Sequence, residues 1–159
     1  MSKIDDLIKE CISPDGTILN MRDHFVGLRG AIELAGKPQL ANVKELILPG
    51  IMCLDEGAEA LAASSHLSNL EMINLNHNDI GDDGAIAIAN SANFPKLTSI
   101  SMFGNVIGDA GAKAFADSAH SKKLVKLDLY KNQFTPTGLK ALTESTNLKN
   151  CEELEFYRE

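Results

Sequence analysis

Few side chains in this sequence are spaced for chemistry, and the first group to consider surrounds His77. It follows Asn76 and stands two residues before Asp79, a grouping that could suggest a metal or catalytic site. The other three histidines occupy different registers of the repeating pattern described below, so they do not converge on His77. We therefore interpret His77 as an ordinary surface histidine.

An acidic cluster raises the same question for calcium. Asp82 and Asp83 are adjacent, and Asp109 follows at a related position, but the segment lacks the alternating oxygen ligands of an EF-hand. Helix capping explains these carboxylates more simply. The sequence also contains no Gly-x-Ser-x-Gly, His-Glu-x-x-His, Cys-x-x-Cys or phosphate-binding glycine loop. We therefore expect no enzyme activity, no metal and no cofactor.

The three cysteines, Cys11, Cys53 and Cys151, are odd in number and unrelated in spacing, which argues against a disulfide framework or a zinc site. We expect Cys53 and Cys151 to be small apolar core residues. The first residues lack the apolar stretch of a signal peptide, and no run of 18 apolar residues occurs. The prediction is a cytoplasmic protein, or one secreted without a cleaved signal, with no membrane insertion.

The composition is that of a globular protein with an acidic balance. Hydrophobic residues make up 44% and charged residues 23%, and the net charge is -7. Nucleic acid and anionic lipid need a basic surface to neutralise phosphate, so this balance disfavours both as partners. Lysine and arginine are scattered along the sequence, which gives no sign of a local basic patch.

The chain repeats itself with a period of 27 residues. Blocks that start at Leu70, Leu97 and Leu124 align without a gap. Two earlier units start at residues 16 and 43, and residue 151 starts a terminal strand. We therefore expect an N-terminal helical cap over 1–15 and a repeat domain over 16–159.

The consensus of the units is Leu-x-x-Leu-x-Leu-x-x-Asn-x-Ile, followed by Gly-Asp-x-Gly-Ala and a helical stretch. This pattern resembles the ribonuclease-inhibitor type of leucine-rich repeat over about nine-tenths of the chain. The resemblance implies an α/β fold: a right-handed α/β solenoid, a horseshoe segment built of strand–helix units, with a parallel sheet on its concave face. It also implies a protein that binds other proteins.

The residues themselves agree with that architecture. Asn78, Asn105 and Asn132 recur at one register just after the strand, where a side-chain amide both donates and accepts hydrogen bonds. A stacked row of such amides can satisfy the backbone of neighbouring turns. Because His24 and Ile51 interrupt the row, we expect the first two turns to be less regular.

Helix starts are marked by a second recurring residue. Asp55, Asp82 and Asp109 occupy the same register, where a carboxylate would cap free amides, and Pro136 replaces them in the fifth unit. Before the repeats, residues 3–12 place apolar side chains at helical spacing, which predicts the capping helix.

The outward strand residues offer the best candidate site. Neighbouring strands lie about 4.8 Å apart, so six strands give a face roughly 25 Å long. One row across it contains Arg22, Pro49, Asn76, Phe103, Tyr130 and Tyr157. Exposed aromatics are enriched at binding hot spots, and the flanking charges are Lys126, Asp128, Lys131, Glu155 and Arg158. A simpler interpretation is that the aromatics shield the edge of the last strands.

Two classes of function stay open. The leading prediction is a monomeric protein-binding module with a scaffold, regulatory or signalling role. The alternative is a regulator that activates a GTPase or inhibits an enzyme. Some proteins with this repeat type stimulate a GTPase, and other GTPase activators supply an arginine, but no second catalytic group accompanies Arg22 or Arg29.

Overall fold

A computed structural model describes residues 2–156 of the chain, in which short strands alternate with helices. The helices are α1 (Lys3–Cys11), α2 (Gly27–Ala35), α3 (Leu54–Ala62), α4 (Asp82–Asn90), α5 (Asp109–Asp117) and α6 (Pro136–Thr143). The strands are β1 (Ile18–Asn20), β2 (Glu45–Ile47), β3 (Met72–Asn74), β4 (Ser99–Ser101), β5 (Lys126–Asp128) and β6 (Glu153–Glu155). Short 3₁₀ turns at Pro38–Asn42 and Ala119–Lys123 follow α2 and α5.

All six strands form one parallel sheet in chain order, β1 to β6. Every pair is in a register offset of 27 residues, as in Leu19 opposite Leu46 and Leu127 opposite Leu154. The helices stack in the same order, each against the next. The predicted solenoid of strand–helix units is therefore confirmed, with helices covering one face of the sheet.

The core lies between the sheet and the helices. Its strand side consists of the alternate apolar residues, such as Leu46, Leu48 and Ile73, which are fully buried. The helices contribute small and aromatic side chains, among them Ala85 and Phe115. One unit alone cannot cover its apolar face, so burial requires the neighbouring turns.

The asparagine row bonds successive turns together, as predicted. Asn105 Oδ1 accepts from the amides of Asn78 and Ile80 in the preceding unit at 3.0 Å each. Its Nδ2 donates to the carbonyls of Leu75 and Met102 at 3.0 and 2.9 Å. Asn78 and Asn132 repeat this pattern, so each side chain serves the backbone of two units.

The aspartate row caps helices in a way that the sequence interpretation missed. We expected each aspartate to cap its own helix, but its oxygen instead reaches the helix of the next unit. Asp82 Oδ1 accepts from Gly108 and Gly111, both at 2.8 Å, at the start of α5. Asp55 caps α4 and Asp109 caps α6 in the same way. The reason is that helices stack in parallel, so the first turn of each faces the free amides of its neighbour.

A serine row at the ends of the helices forms a third ladder that the sequence interpretation did not identify. The hydroxyl of Ser118 donates to the carbonyl of Ala89 in the previous unit at 2.6 Å. Ser64, Ser91 and Ser145 each donate to the corresponding carbonyl one unit earlier. These bonds satisfy carbonyls that a helix end leaves without an intrahelical partner.

The first two turns are less regular, which confirms the expectation based on His24 and Ile51. Where the helix starts, Gly27 and Leu54 of the first two turns have positive φ angles of 72° and 57°, whereas Gly81 and Gly108 in the same register have φ of -100° and -97°. Neither α2 nor α3 has a side-chain cap at its N-terminus. The two units therefore lack the aspartate bond that starts each of the three later helices.

Helix α1 is joined to α2 by a small ionic cluster. Lys37 Nζ lies 2.9 Å from carboxylate oxygens of both Asp5 and Glu33. The hydrogen bond from Lys37 holds the pKa of Asp5 well below its usual range. Ser2 and Asp5 also form a capping box at the start of α1. The helix thereby covers the first turn of the solenoid with Ile4 and Ile8 buried beneath it.

Candidate protein-binding face

The sheet face opposite the helices, called here the concave face, contains the predicted site. Lys126 and Asp128 lie on β5 and Glu155 lies on β6. Asn76, Phe103 and Tyr130 lie in adjacent turns, two residues after β3, β4 and β5 respectively. Tyr157 and Arg158 lie outside the described residues.

Backbone hydrogen bonds continue the sheet through this row and fix its position. The carbonyls of Asn76, Phe103 and Tyr130 accept from the amides of Gly50, His77 and Gly104 at 2.8–2.9 Å. The residue that follows the row has a positive φ in every unit, which turns the chain toward the helix. The members are Asp23, Gly50, His77, Gly104 and Lys131.

Aromatic rings form a continuous row across three turns. The ring centroids of Phe103 and Tyr130 are 5.7 Å apart with a 41° tilt. His77 meets Phe103 edge-on at 5.0 Å, and Lys131 Nζ lies 5.6 Å from the centre of the Phe103 ring. Phe103 therefore has a histidine, a tyrosine and a cation around it, and both aromatic rings stay partly exposed.

Gly104 makes room for this arrangement. A Cβ at residue 104 would lie 2.5 Å from the His77 ring, closer than a real side chain allows. Its φ of 68° also favours glycine. The two constraints together explain why glycine stands between Phe103 and the asparagine row.

A polar network supports the other end of the row. Asn76 Oδ1 accepts from the hydroxyl of Ser101 at 2.7 Å and from the amide of Phe103 at 2.9 Å. Asp128 Oδ1 accepts from the amide of Tyr130 at 3.0 Å. The backbone beneath both rings is therefore held by side chains on the same face.

The charged residues of the site are partly paired. Lys126 Nζ lies 3.0 Å from Glu153 across β5 and β6, and that hydrogen bond raises the pKa of Lys126. Asp128 and Glu155 are register partners on the same two strands. Because one lysine is balanced by Glu153, the face around β5 and β6 has a negative balance.

The geometry suits noncovalent binding. Within residues 2–156, no three His, Cys, Asp or Glu side chains are placed to hold a metal ion. None of the helices there is both long enough and apolar enough to cross a membrane. A groove of about 330 Å³ beside Tyr130 is lined in part by Phe134, Leu139 and Phe156 and extends the apolar surface toward β6.

Comparison with known proteins agrees with this architecture. A family model described as a leucine-rich repeat matches residues 66–89, 95–116 and 120–142. The fold is a leucine-rich-repeat solenoid. A search of curated proteins finds no significant match.

Two solved structures share the leucine-rich-repeat fold. The C-terminal domain of tropomodulin from Caenorhabditis elegans aligns with a TM-score of 0.64 at 12% identity, over 82% of this chain and 83% of that one. Actin-Binding Site 2 of leiomodin-1 aligns with a TM-score of 0.53 at 18% identity, over 81% of this chain and 78% of that one. At these identities the likeness shows the fold alone.

The leucine-rich-repeat geometry brings the predicted site residues of the described part together on one face. It adds two residues that the sequence interpretation did not place in the site: His77, which it took for an ordinary surface histidine, and Glu153. The 27-residue period contained the signal for both, since His77 is one unit before Gly104 and Glu153 one unit after Lys126. Of the two cysteines expected in the core, Cys53 is fully buried but Cys151 is only partly buried, because no further unit covers it among the described residues.

Proposed function

We propose that this chain is a protein-binding module and that its concave face, centred on Phe103 and Tyr130, contacts the partner. The observation that carries the proposal is the pair of partly exposed rings, 5.7 Å apart, on a rigid parallel sheet. Exposed aromatic side chains are the residues that most often dominate binding energy at protein interfaces.

The rings are organised before a partner arrives. Backbone bonds through the row, the Asn76 and Asp128 side chains, and the contacts of His77 and Lys131 all restrict them. A partner that docks on such rings loses little free energy to ordering them. Binding would therefore use a contact surface whose side chains are already ordered in the free protein.

The surrounding charges would orient the partner. Lys126, Asp128, Lys131 and Glu155 surround the rings, and Asn76 offers an amide in the same row. Charges at an interface rim contribute to the association rate and to specificity more than to affinity. We also assign Tyr157 to this row from the sequence pattern alone.

The broader role that we propose is a scaffold or regulatory one, as a monomer and without enzyme activity. We interpret the repeats as the ribonuclease-inhibitor type, with residues 1–15 as the cap. Cys53 is buried, and burial raises the pKa of its thiol to about 12, which fits a packing role in the core. On the sequence alone we propose a cytoplasmic protein, or one secreted without a cleaved signal. The leiomodin-1 segment is an actin-binding site, whereas the partner proposed here is a protein of unspecified identity.

The test is affinity capture from a lysate of the source organism with wild type and a Phe103→Ala/Tyr130→Ala double variant. The double variant should bind the captured partner at least about tenfold more weakly than wild type, which corresponds to a loss of about 1.4 kcal/mol in binding free energy. An Arg22→Ala/Pro49→Ala variant is the matched control, because it alters the same row in the first two turns. Circular dichroism must show that all three proteins are folded.

Equal retention by the aromatic variant and wild type would contradict the proposal and move the site to another face. A Tyr157→Ala variant, measured beside them, tests the assignment of that residue to the row.

A further inference from the structure

Four lysines that look scattered in the sequence meet at one edge of the solenoid. Lys96 and Lys123 differ by one period of 27, and so do Lys122 and Lys149. All four lie in the connections that follow α4, α5 and α6, just before the next strand. We call this group the lysine edge, and it corrects the impression that no local basic patch exists.

The lysines of this edge differ from several other lysines in their partners. Five other lysines lie within 4.0 Å of an acidic side chain, namely Lys37, Lys44, Lys113, Lys126 and Lys140. Among residues 2–156, none of the four edge lysines makes such a pair. Lys96 and Lys123 donate instead to neutral oxygens, on Asn69 at 2.7 Å and Phe94 at 2.5 Å.

The parts of these connections that contain the lysines have no acidic residue, although Glu144 and Glu152 flank the third part. Segments 91–96, 118–123 and 145–150 contribute four lysines and one histidine but no aspartate or glutamate. The chain as a whole has a net charge of -7, so this edge is a local exception to its acidic surface. Unpaired cations grouped in this way attract an anionic partner.

A groove within the edge provides groups that suit carboxylates. It has a volume of about 350 Å³ and is lined by Lys122, Thr146, Asn147, Lys149 and Asn150. The two ammonium groups, the Thr146 hydroxyl and the Asn150 amide supply the charge and the hydrogen bonds that an anion takes up on leaving water, while Asn147 donates to the carbonyls of Ala116 and Asp117.

We propose that the lysine edge binds an acidic segment of a protein in extended conformation, with carboxylates on alternate residues. Neighbouring turns of the solenoid lie about 4.8 Å apart at the sheet and 8–10 Å apart at the helices. The lysines lie between the sheet and the helices, so the spacing of lysines in neighbouring turns falls between these two values. Alternate side chains of an extended peptide are about 6.7 Å apart, so they match the spacing of successive turns.

A membrane or a nucleic acid fits this edge less well. Of the large apolar residues that are exposed in the described chain, Val125 alone lies in these connections, and a single valine offers little surface to insert into a bilayer. Phe94, the aromatic residue in these connections, is 1% exposed and offers no face for base stacking. Four charges are also few for a phosphate backbone on an acidic protein.

This site is separate from the concave aromatic row. The lysine edge precedes the strands, whereas Phe103 and Tyr130 follow them, so the two lie at opposite ends of the parallel strands. The inference therefore does not depend on the proposed function.

The experiment measures fluorescence anisotropy of a labelled peptide of five Glu-Thr repeats, long enough to span three turns. A Lys122→Ser/Lys149→Ser variant should bind it about tenfold more weakly than wild type. The matched control is Lys113→Ser/Lys140→Ser, which removes the same charge from the same units but at lysines paired with Asp117 and Glu144. It should change the affinity less than about twofold, since long-range charge is screened by salt.

Three results would overturn the inference: no binding of the peptide by wild type, an equal loss in both variants, or binding that prefers another anion. The last is checked with phosphatidylserine vesicles and with single-stranded DNA of similar length. A peptide with the same composition but clustered glutamates tests the spacing, and it should bind several-fold more weakly. Matching thermal midpoints for the variants show that a loss is not caused by unfolding.

Discussion

The first two turns of the solenoid and the three that follow are built differently. In the later turns asparagine, aspartate and serine side chains bond each unit to its neighbour at three levels. In the first two turns, His24 and Ile51 stand where the asparagine would be, and α2 and α3 start without a side-chain cap. Units with the same 27-residue period are therefore connected by different sets of side-chain hydrogen bonds.

The difference shows that each unit of a repeat protein is held in place by its contacts with the adjacent unit. Asp109 caps α6 and not its own helix, so each of the later turns depends on the one before it. The regular turns also contain the aromatic row and the lysine edge.

The largest expected effect comes from removing one asparagine of the row. Asn105→Ala should lower the free energy of unfolding by about 3–4 kcal/mol, because it leaves buried amides and carbonyls of two units without partners. Urea denaturation measures this. His24→Ala is the control in the same register of the first turn, and it should cost less than about 1 kcal/mol. Similar losses would show that the two regions are held in the same way.

A smaller effect is expected where helices approach each other. The Cβ in Gly111→Ala would lie 2.5 Å from Ile107, 2.9 Å from the Asp82 carboxylate and 3.0 Å from Ala85. We expect a loss of about 1–2 kcal/mol in thermal or urea unfolding, since overpacking outweighs the gain in helix propensity.

Gly30→Ala is the matched variant in the first turn. Its Cβ would meet methyl groups of Val26 and Ile4, at 2.7 and 3.0 Å, and no capping carboxylate. The loss should be smaller there, about 0.5–1 kcal/mol, because the methyl contacts strain the packing but no cap is disturbed. A larger loss for Gly30→Ala than for Gly111→Ala would reverse the comparison.

The smallest expected effect concerns pH. Hydrogen bonds from Thr135 and from the amides of Thr135 and Gly138 lower the pKa of Asp109 below its ordinary value. A depressed folded-state pKa adds stability above the unfolded-state pKa, near 4, and that stability is lost as the pH falls through the folded value. Asp109→Asn keeps the accepting oxygen but cannot titrate.

The urea midpoint should therefore fall less between pH 5 and pH 3 in Asp109→Asn than in wild type. If both proteins show the same pH dependence, the charge of Asp109 does not contribute to the cap of α6.

Much of the fold could be predicted from the sequence because the signal is repeated. Leu46, Ile73, Ile100 and Leu127 stand 27 residues apart, and only a parallel stack places such residues in one core. The asparagine row was predicted for the same reason. By contrast, the partner of each aspartate could not be read from its own unit, since a carboxylate next to a helix start looks like a local cap.

The two surface sites could likewise be predicted only in part from the sequence. The aromatic row was predicted by aligning the units, but the contact between His77 and Phe103 depends on a ring that crosses Gly104 from the adjacent turn. The lysines were judged scattered because Lys96 and Lys149 are far apart along the chain. Their common edge becomes evident only when the registers are compared between units.

The sequence by itself determined the period, the strand order and the inward residues, because hydrophobic spacing dictates which side chains must leave water. The tertiary structure alone decided which helix each aspartate caps, which rings touch, and which lysines stay without a carboxylate. Those outcomes depend on distances between atoms 26 to 29 residues apart, and the stacking of one turn on the next sets such distances.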